Sequence, residues 1–146
     1  MTEEKLSNYH EAGINRLSIG LQSTNNERLQ QIGRIHSFEQ FLETYKMARK
    51  VGFRNINIDF IIGLPNQTIK EVEEGIEEVV SLKPEHISVY SLIVEEGTAL
   101  QKQIENGNLS LPEEKIERKM YWSVKKLLEK KGYIHYEISN FAIPRL

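Results

Sequence analysis

Asn55-Ile56-Asn57-Ile58-Asp59-Phe60-Ile61-Ile62, running into Gly63-Leu64-Pro65, alternates apolar and polar residues. Ile56, Ile58, Phe60 and Ile62 share one face while Asn57 and Asp59 share the other, the period of a β-strand with one face in a core. The Gly-Leu-Pro turn closes it.

The same alternation occurs upstream over residues 14–22, where Leu17, Ile19 and Leu21 oppose Arg16, Ser18, Gly20 and Gln22. Between these strands the pattern becomes helical. Ser37 and Gln40 have the spacing of a capping box, and Phe38, Phe41, Leu42, Tyr45 and Ala48 make the apolar stripe of a helix that stops near Gly52. Downstream, Thr68 and Glu71 repeat the capping spacing ahead of Val72, Ile76, Val79 and Val80, and a third strand is expected over residues 87–92, after Pro84.

Both ends continue the alternation. Residues 2–12 read as a helix end with Leu6, Tyr9 and Ala12 on one side and Gly13 as the stop. Past a polar connection containing Glu95-Glu96-Gly97 and Asn106-Gly107-Asn108, Pro112 opens a helix carrying Ile116, Met120, Val124 and Leu127. Gly132 ends that helix, and a last strand is expected over residues 133–138. Gly13, Gly52 and Gly132 each sit between a helix and a strand, a loose repeat of one unit.

Strands separated by helices of this length pair in parallel through right-handed crossovers. The fold class is therefore α/β; periodicity alone does not separate an open sheet from part of a barrel.

With 146 residues, 39% hydrophobic and 27% charged, the chain has the composition of one globular domain. A net charge of −2 and a pI near 6.1 give no electrostatic reason to expect nucleic acid or an anionic membrane as partner. There is no apolar run of membrane-spanning length, and Met1-Thr2-Glu3-Glu4-Lys5 is too polar for a signal peptide, so the chain is read as cytoplasmic. It contains 0 cysteines and supplies neither a disulfide nor a thiolate ligand.

Among polar residues, Gln22 and Asp59 stand out, because both lie near the C-terminal ends of strands on the faces opposite the apolar residues. In βα barrels that end carries the site. Their spacing leaves two readings open: a ligand site, or a structural ion pair between Arg16 and Asp59. His10, His36, His86 and His135 are scattered without ligand spacing and are read as ordinary. Tyr90, Trp122, Tyr133 and Tyr136 fall within periodic elements and are read as core or helix-flank aromatics.

Gly13-Ile14-Asn15-Arg16-Leu17-Ser18-Ile19-Gly20-Leu21-Gln22-Ser23, followed by Gly33-Arg34-Ile35-His36-Ser37, resembles the family of oxygen-independent coproporphyrinogen III oxidases and radical S-adenosylmethionine heme chaperones. Asn57-Ile58-Asp59 with Gly63-Leu64-Pro65-Asn66-Gln67-Thr68 resembles its fifth barrel strand, and Pro84-Glu85-His86-Ile87-Ser88-Val89-Tyr90-Ser91-Leu92 its sixth. The segments from His86 through Glu95-Glu96-Gly97-Thr98, and Tyr136-Glu137-Ile138-Ser139-Asn140-Phe141-Ala142, are more similar to the heme chaperones than to the oxidases. Ile62 stands where the family often has tyrosine, and it should face the helices.

The resemblance implies a partial radical-SAM barrel of the TIM type, with residues 1–146 as the C-terminal half of its core. It implies S-adenosylmethionine contacts at Gln22, Arg34, Asp59 and Ile93. Asp59 and Gln22 would meet the ribose, Arg34 the methionyl carboxylate, and Ile93 would line the pocket. The [4Fe–4S] cluster, its Cys-x3-Cys-x2-Cys loop, and the C-terminal domain associated with heme handling are expected only in the intact family protein, so this chain is expected to be inactive alone. The leading expectation is a piece of a heme chaperone that delivers heme to respiratory proteins. The alternatives are a piece of the oxidase, which decarboxylates two propionates of coproporphyrinogen III in porphyrin biosynthesis, and a non-catalytic remnant or interaction module. A half-barrel, with two unpaired sheet edges and an open interior face, further implies marginal stability, self-association through the exposed edges or dependence on the missing half.

Overall fold

The computed structural model describes residues 2–144. Its elements run α1 (Glu3–Glu11), β1 (Arg16–Gln22), α2 (Asn26–Gln31), α3 (Phe38–Val51), β2 (Asn55–Ile62), α4 (Ile69–Ser81), β3 (His86–Ser91), α5 (Ala99–Glu105), α6 (Glu114–Lys130), β4 (Ile134–Glu137) and β5 (Asn140–Ala142).

Local chemistry sets the helix ends. The Ser37 hydroxyl accepts from the Gln40 amide at 3.1 Å while Gln40 Oε1 accepts from the Ser37 amide at 2.9 Å, which completes the box ahead of α3. Thr68 caps α4 through its hydroxyl, which accepts from the Glu71 amide at 3.1 Å. At the far end of α3, Gly52 takes φ 119°, in the left-handed region where a side chain would be strained.

The sheet has five strands in the order β1-β2-β3-β5-β4. β1, β2 and β3 pair in parallel, with Ile19 beside Ile58 and Ile58 beside Ile87. Helices α3, α4 and α6 bury the apolar face: Ile56, Ile58, Phe60 and Ile62 join Phe41, Tyr45, Val72, Ile76, Met120 and Val124 in one core. Ile62 is 1% exposed within it, as its alternation requires.

The expected final strand is instead an antiparallel ribbon. β4 and β5 are joined through Ile138 and Ser139, and β5 lies antiparallel to β3, with Ser88 beside Asn140. A parallel return needs a connection of roughly a dozen residues or more. The two residues between β4 and β5 permit only a hairpin. The short helices α2 and α5 were likewise not visible as periodic patterns; α5 has no buried residue at all.

The aromatic expectation holds for Tyr133, which is in the core, and for Trp122, which is on the flank of α6, and fails for Tyr90 and Tyr136. Tyr90, Trp122 and Tyr136 are 45%, 59% and 55% exposed. Tyr90 alternates onto the sheet face away from the helices, and Trp122 lies off the buried stripe of Met120, Val124 and Leu128, with the Lys125 ammonium 5.0 Å from its ring.

Tyr133 is 4% exposed, and its hydroxyl donates to the Pro84 carbonyl at 2.6 Å. Tyr133→Phe is expected to cost about 1–3 kcal/mol, because the buried carbonyl loses its partner. Burial raises the pKa of this hydroxyl well above its ordinary value. An unfolded tyrosine gives up its proton near pH ~10, whereas the folded one holds it to higher pH. The stabilisation is complete below pH ~10 and is lost as pH rises beyond it. Thermal melts across the alkaline range should show a fall in Tm that is shallower in Tyr133→Phe; equal slopes would refute the assignment.

Candidate functional site

The sheet face away from the helices is polar. Asn57 lies at its centre and is 3% exposed. Its Nδ2 donates to Ser18 Oγ and to Asp59 Oδ1, each at 2.8 Å. Its Oδ1 accepts from His86 Nδ1, and Ser88 Oγ stands 3.1 Å away. Ser88 in turn reaches Asn140 Oδ1 at 2.8 Å, and His86 Nε2 meets the Tyr136 hydroxyl. Burial lowers the pKa of the His86 imidazole, Arg16 opposes its protonation, and Asp59 and Glu137 favour it. Neutral His86 carries one proton. The Asn57 oxygen can only accept, so that proton is on Nδ1 and Nε2 accepts from Tyr136.

The structural ion pair is therefore not what holds Asp59. Among the described residues, the carboxylate takes the Asn57 amide through Oδ1, and no ion pair joins it to Arg16. Arg16 stands beside Asn55, four residues along β2 from Asp59, whereas Asn57 lies two positions from Asp59 on the same strand face, which places its amide beside the carboxylate.

Gln22 reaches this face through an irregularity. Between Gly20 and Gln22 the pairing shifts, so that Gly20 faces Asp59 and Gln22 faces Phe60, with Leu21 as the extra residue of a bulge. Gln22 has φ 73°, a conformation uncommon for a residue with a side chain. Its Nε2 lies 2.9 Å from where a Cβ on Gly20 would be, so the amide folds over the glycine that stands opposite Asp59. Any larger residue at position 20 would displace it.

Arg34 is set by the end of α2. Gly33, at φ 77°, lets the Arg34 amide reach the Leu29 carbonyl at 2.9 Å and its own amide reach Gln30 at 3.0 Å, a Schellman termination. His36 Nε2 then donates to the Leu21 carbonyl at 3.0 Å, tying this loop to the bulge beside Gln22. Sequence reasoning missed that role for His36; the proximity of His36 and Leu21 is not a spacing in the chain. A bidentate pair between Arg28 and Glu71, with Nε to Oε2 at 3.0 Å and Nη2 to Oε1 at 3.2 Å, holds α2 against α4.

At the C-terminal ends of the strands an open groove of about 1370 Å³ is lined by Arg34, Ile61, Tyr90, Leu92, Ile93 and Ile138, among others. It brings together Arg34 and Ile93, the latter 80% exposed. Gln22 and Asp59 do not line it; Asp59 lies one strand alternation below Ile61 on the same face. The four residues singled out in the sequence thus form two pairs, one on the sheet face and one at the rim above it. Among the described residues no group of three or more His, Cys, Asp or Glu is placed to hold a metal ion, and no helix is long and apolar enough to cross a membrane.

The sequence matches the family described as Radical SAM superfamily over residues 1–79. It is 44% identical over 142 residues to the heme chaperone HemW of Bacillus subtilis, covering 97% of this chain and 38% of that protein. It is 39% identical over 138 residues to the mitochondrial radical S-adenosyl methionine domain-containing protein 1 of Danio rerio, covering 94% of this chain and 31% of that one. The chain thus spans about a third of the length of these relatives. Among solved structures, coproporphyrinogen III oxidase from Escherichia coli, described as a radical SAM enzyme, superposes with a TM-score of 0.87 at 28% identity over 100% of this chain and 33% of that one. The Elp3 protein of Methanocaldococcus infernus shares the fold at 22% identity, with a TM-score of 0.76 over 85% of this chain and 30% of that one.

Proposed function

The chain belongs to the radical SAM superfamily, and from that premise we propose that it supplies part of the S-adenosylmethionine site of a heme chaperone. The observation that carries the proposal is the disposition of Asp59: a half-buried carboxylate on the polar sheet face, with Oδ1 engaged by Asn57 and Oδ2 without a partner among the described residues.

That arrangement fits the adenosyl group. Asp59 Oδ2 accepts from the ribose hydroxyls, and the Gln22 amide, folded over Gly20, donates or accepts beside it. At the rim, the Arg34 guanidinium binds the methionyl carboxylate, while Ile93 and Leu92 shield the adenine from water. Bound beside a [4Fe–4S] cluster, S-adenosylmethionine supplies one-electron chemistry. With 0 cysteines, this chain contributes no thiolate to hold such a cluster.

Titrating the isotope-labelled chain with S-adenosylmethionine to millimolar concentration should shift amide resonances at Gln22, Arg34, Asp59 and Ile93 together. An unchanged spectrum, or shifts confined to other residues, would overturn the reading.

The structural likeness to the oxidase supports a second reading, in which the strands belong to a porphyrinogen-decarboxylating enzyme. The 44% identity to the Bacillus subtilis protein favours the chaperone. Exchanging the matched region of that chaperone for this chain separates the two: retained heme binding supports the chaperone, and gain of porphyrinogen decarboxylation supports the oxidase.

A further inference from the structure

We infer that Asn57 is the positioning residue for Asp59, aiming the carboxylate so that Oδ2 is presented to the ligand; the inference rests on reading Asp59 as the ribose acceptor. Four neighbours fix the Asn57 amide. Ser18 and Asp59 take its two N–H groups, while His86 and Ser88 face its oxygen. Turning the amide over would set its oxygen against the Asp59 carboxylate, a repulsive contact in a site where Asn57 is 3% exposed. The hydroxyls of Ser18 and Ser88 and the imidazole of His86 accommodate the orientation that remains, with His86 protonated on Nδ1.

His86 is locked in turn by Tyr136, and Ser88 reaches Asn140. The carboxylate is thus oriented by a network that spans all five strands, with Ser18 on β1, Asn57 on β2, His86 and Ser88 on β3, Tyr136 on β4 and Asn140 on β5, rather than by its own rotamer preference. Asn57 touches no ligand in this scheme and acts only through Asp59.

The test compares binding of S-adenosylhomocysteine and its 2′,3′-dideoxy analogue to the full chain by resonance titration. The unsubstituted chain should prefer the ribose-bearing ligand. Asn57→Leu should reduce that preference roughly ten-fold while leaving affinity for the dideoxy analogue nearly unchanged. Because Asn57→Leu strips several buried partners and can fail to fold, Asn57→Asp is the second variant. It keeps acceptors for His86 and Ser88, replaces the donor facing Asp59 with an oxygen, and should show the same loss of preference. A purely structural role would weaken both ligands alike and overturn the inference. If the unsubstituted chain shows no preference, the Asp59 reading fails and the inference with it; if the preference persists in the folded variants, the inference alone fails.

Discussion

The Phe60→Ala variant is expected to lose about 3–5 kcal/mol of stability and to unfold at a much lower urea concentration than the parent chain. Phe60 is 1% exposed on β2, which is paired on both sides by parallel neighbours. Its ring fills the notch that Gly75 leaves in α4: a Cβ on Gly75 would stand 2.9 Å from Phe60 Cζ and 3.2 Å from Thr24 Oγ1. Without the ring, the strand and helix backbones around it are too constrained to close the cavity. Against a typical total of about 5–15 kcal/mol for a whole domain, that loss is large. The reciprocal change makes the same point. Gly75→Ala favours the helix by about 1 kcal/mol in isolation, yet it is expected to destabilise this chain, because the methyl enters the space the ring occupies. Urea unfolding followed by circular dichroism checks both; a cost below about 1 kcal/mol for Phe60→Ala would show that the ring is not part of a close-packed core.

Asp59→Ala is expected to abolish measurable S-adenosylmethionine binding while leaving the fold intact. Each hydrogen bond from a neutral donor to a charged acceptor is worth about 1.5–3 kcal/mol, and a carboxylate facing a ribose has two hydroxyls to receive. The expected weakening is on the order of a hundred-fold or more. The stability cost should not exceed about 1–3 kcal/mol, that of leaving one Asn57 N–H unpaired, because Asp59 lies on the face away from the helices and Asn57 keeps Ser18 and His86 as partners. Asp59→Asn should fall between the two, retaining an acceptor without its charge. Binding to Asp59→Ala equal to that of the parent chain would remove the carboxylate from the site.

Strands β1, β2 and β3 and helices α1, α3, α4 and α6 were legible in the chain because each buries one face and carries its own period. Leu17, Ile19 and Leu21, or Val72, Ile76 and Val79, state their burial by spacing alone. Helices α2 and α5 are one to two turns long, too short for a stripe; their termini are set by single contacts such as the Asn25 cap on Arg28 and the Gly33 turn. β5 is three residues long, and its place beside β3 follows from the brevity of its link to β4.

Of the candidate site, what the chain alone determined was that polar Gln22 and Asp59 lie near the C-terminal ends of two strands, on the faces opposite their apolar residues. The bulge that turns Gln22 over Gly20, the tether from His36 to Leu21, and the amide orientation that ties Asn57 to Asp59 came only from the assembled fold. Periodicity is a local property, written in neighbours two to four residues apart. A hydrogen bond between Asn57 and His86, or between Leu21 and His36, joins residues the chain separates widely, and it exists only once parallel pairing and helix packing have brought them together.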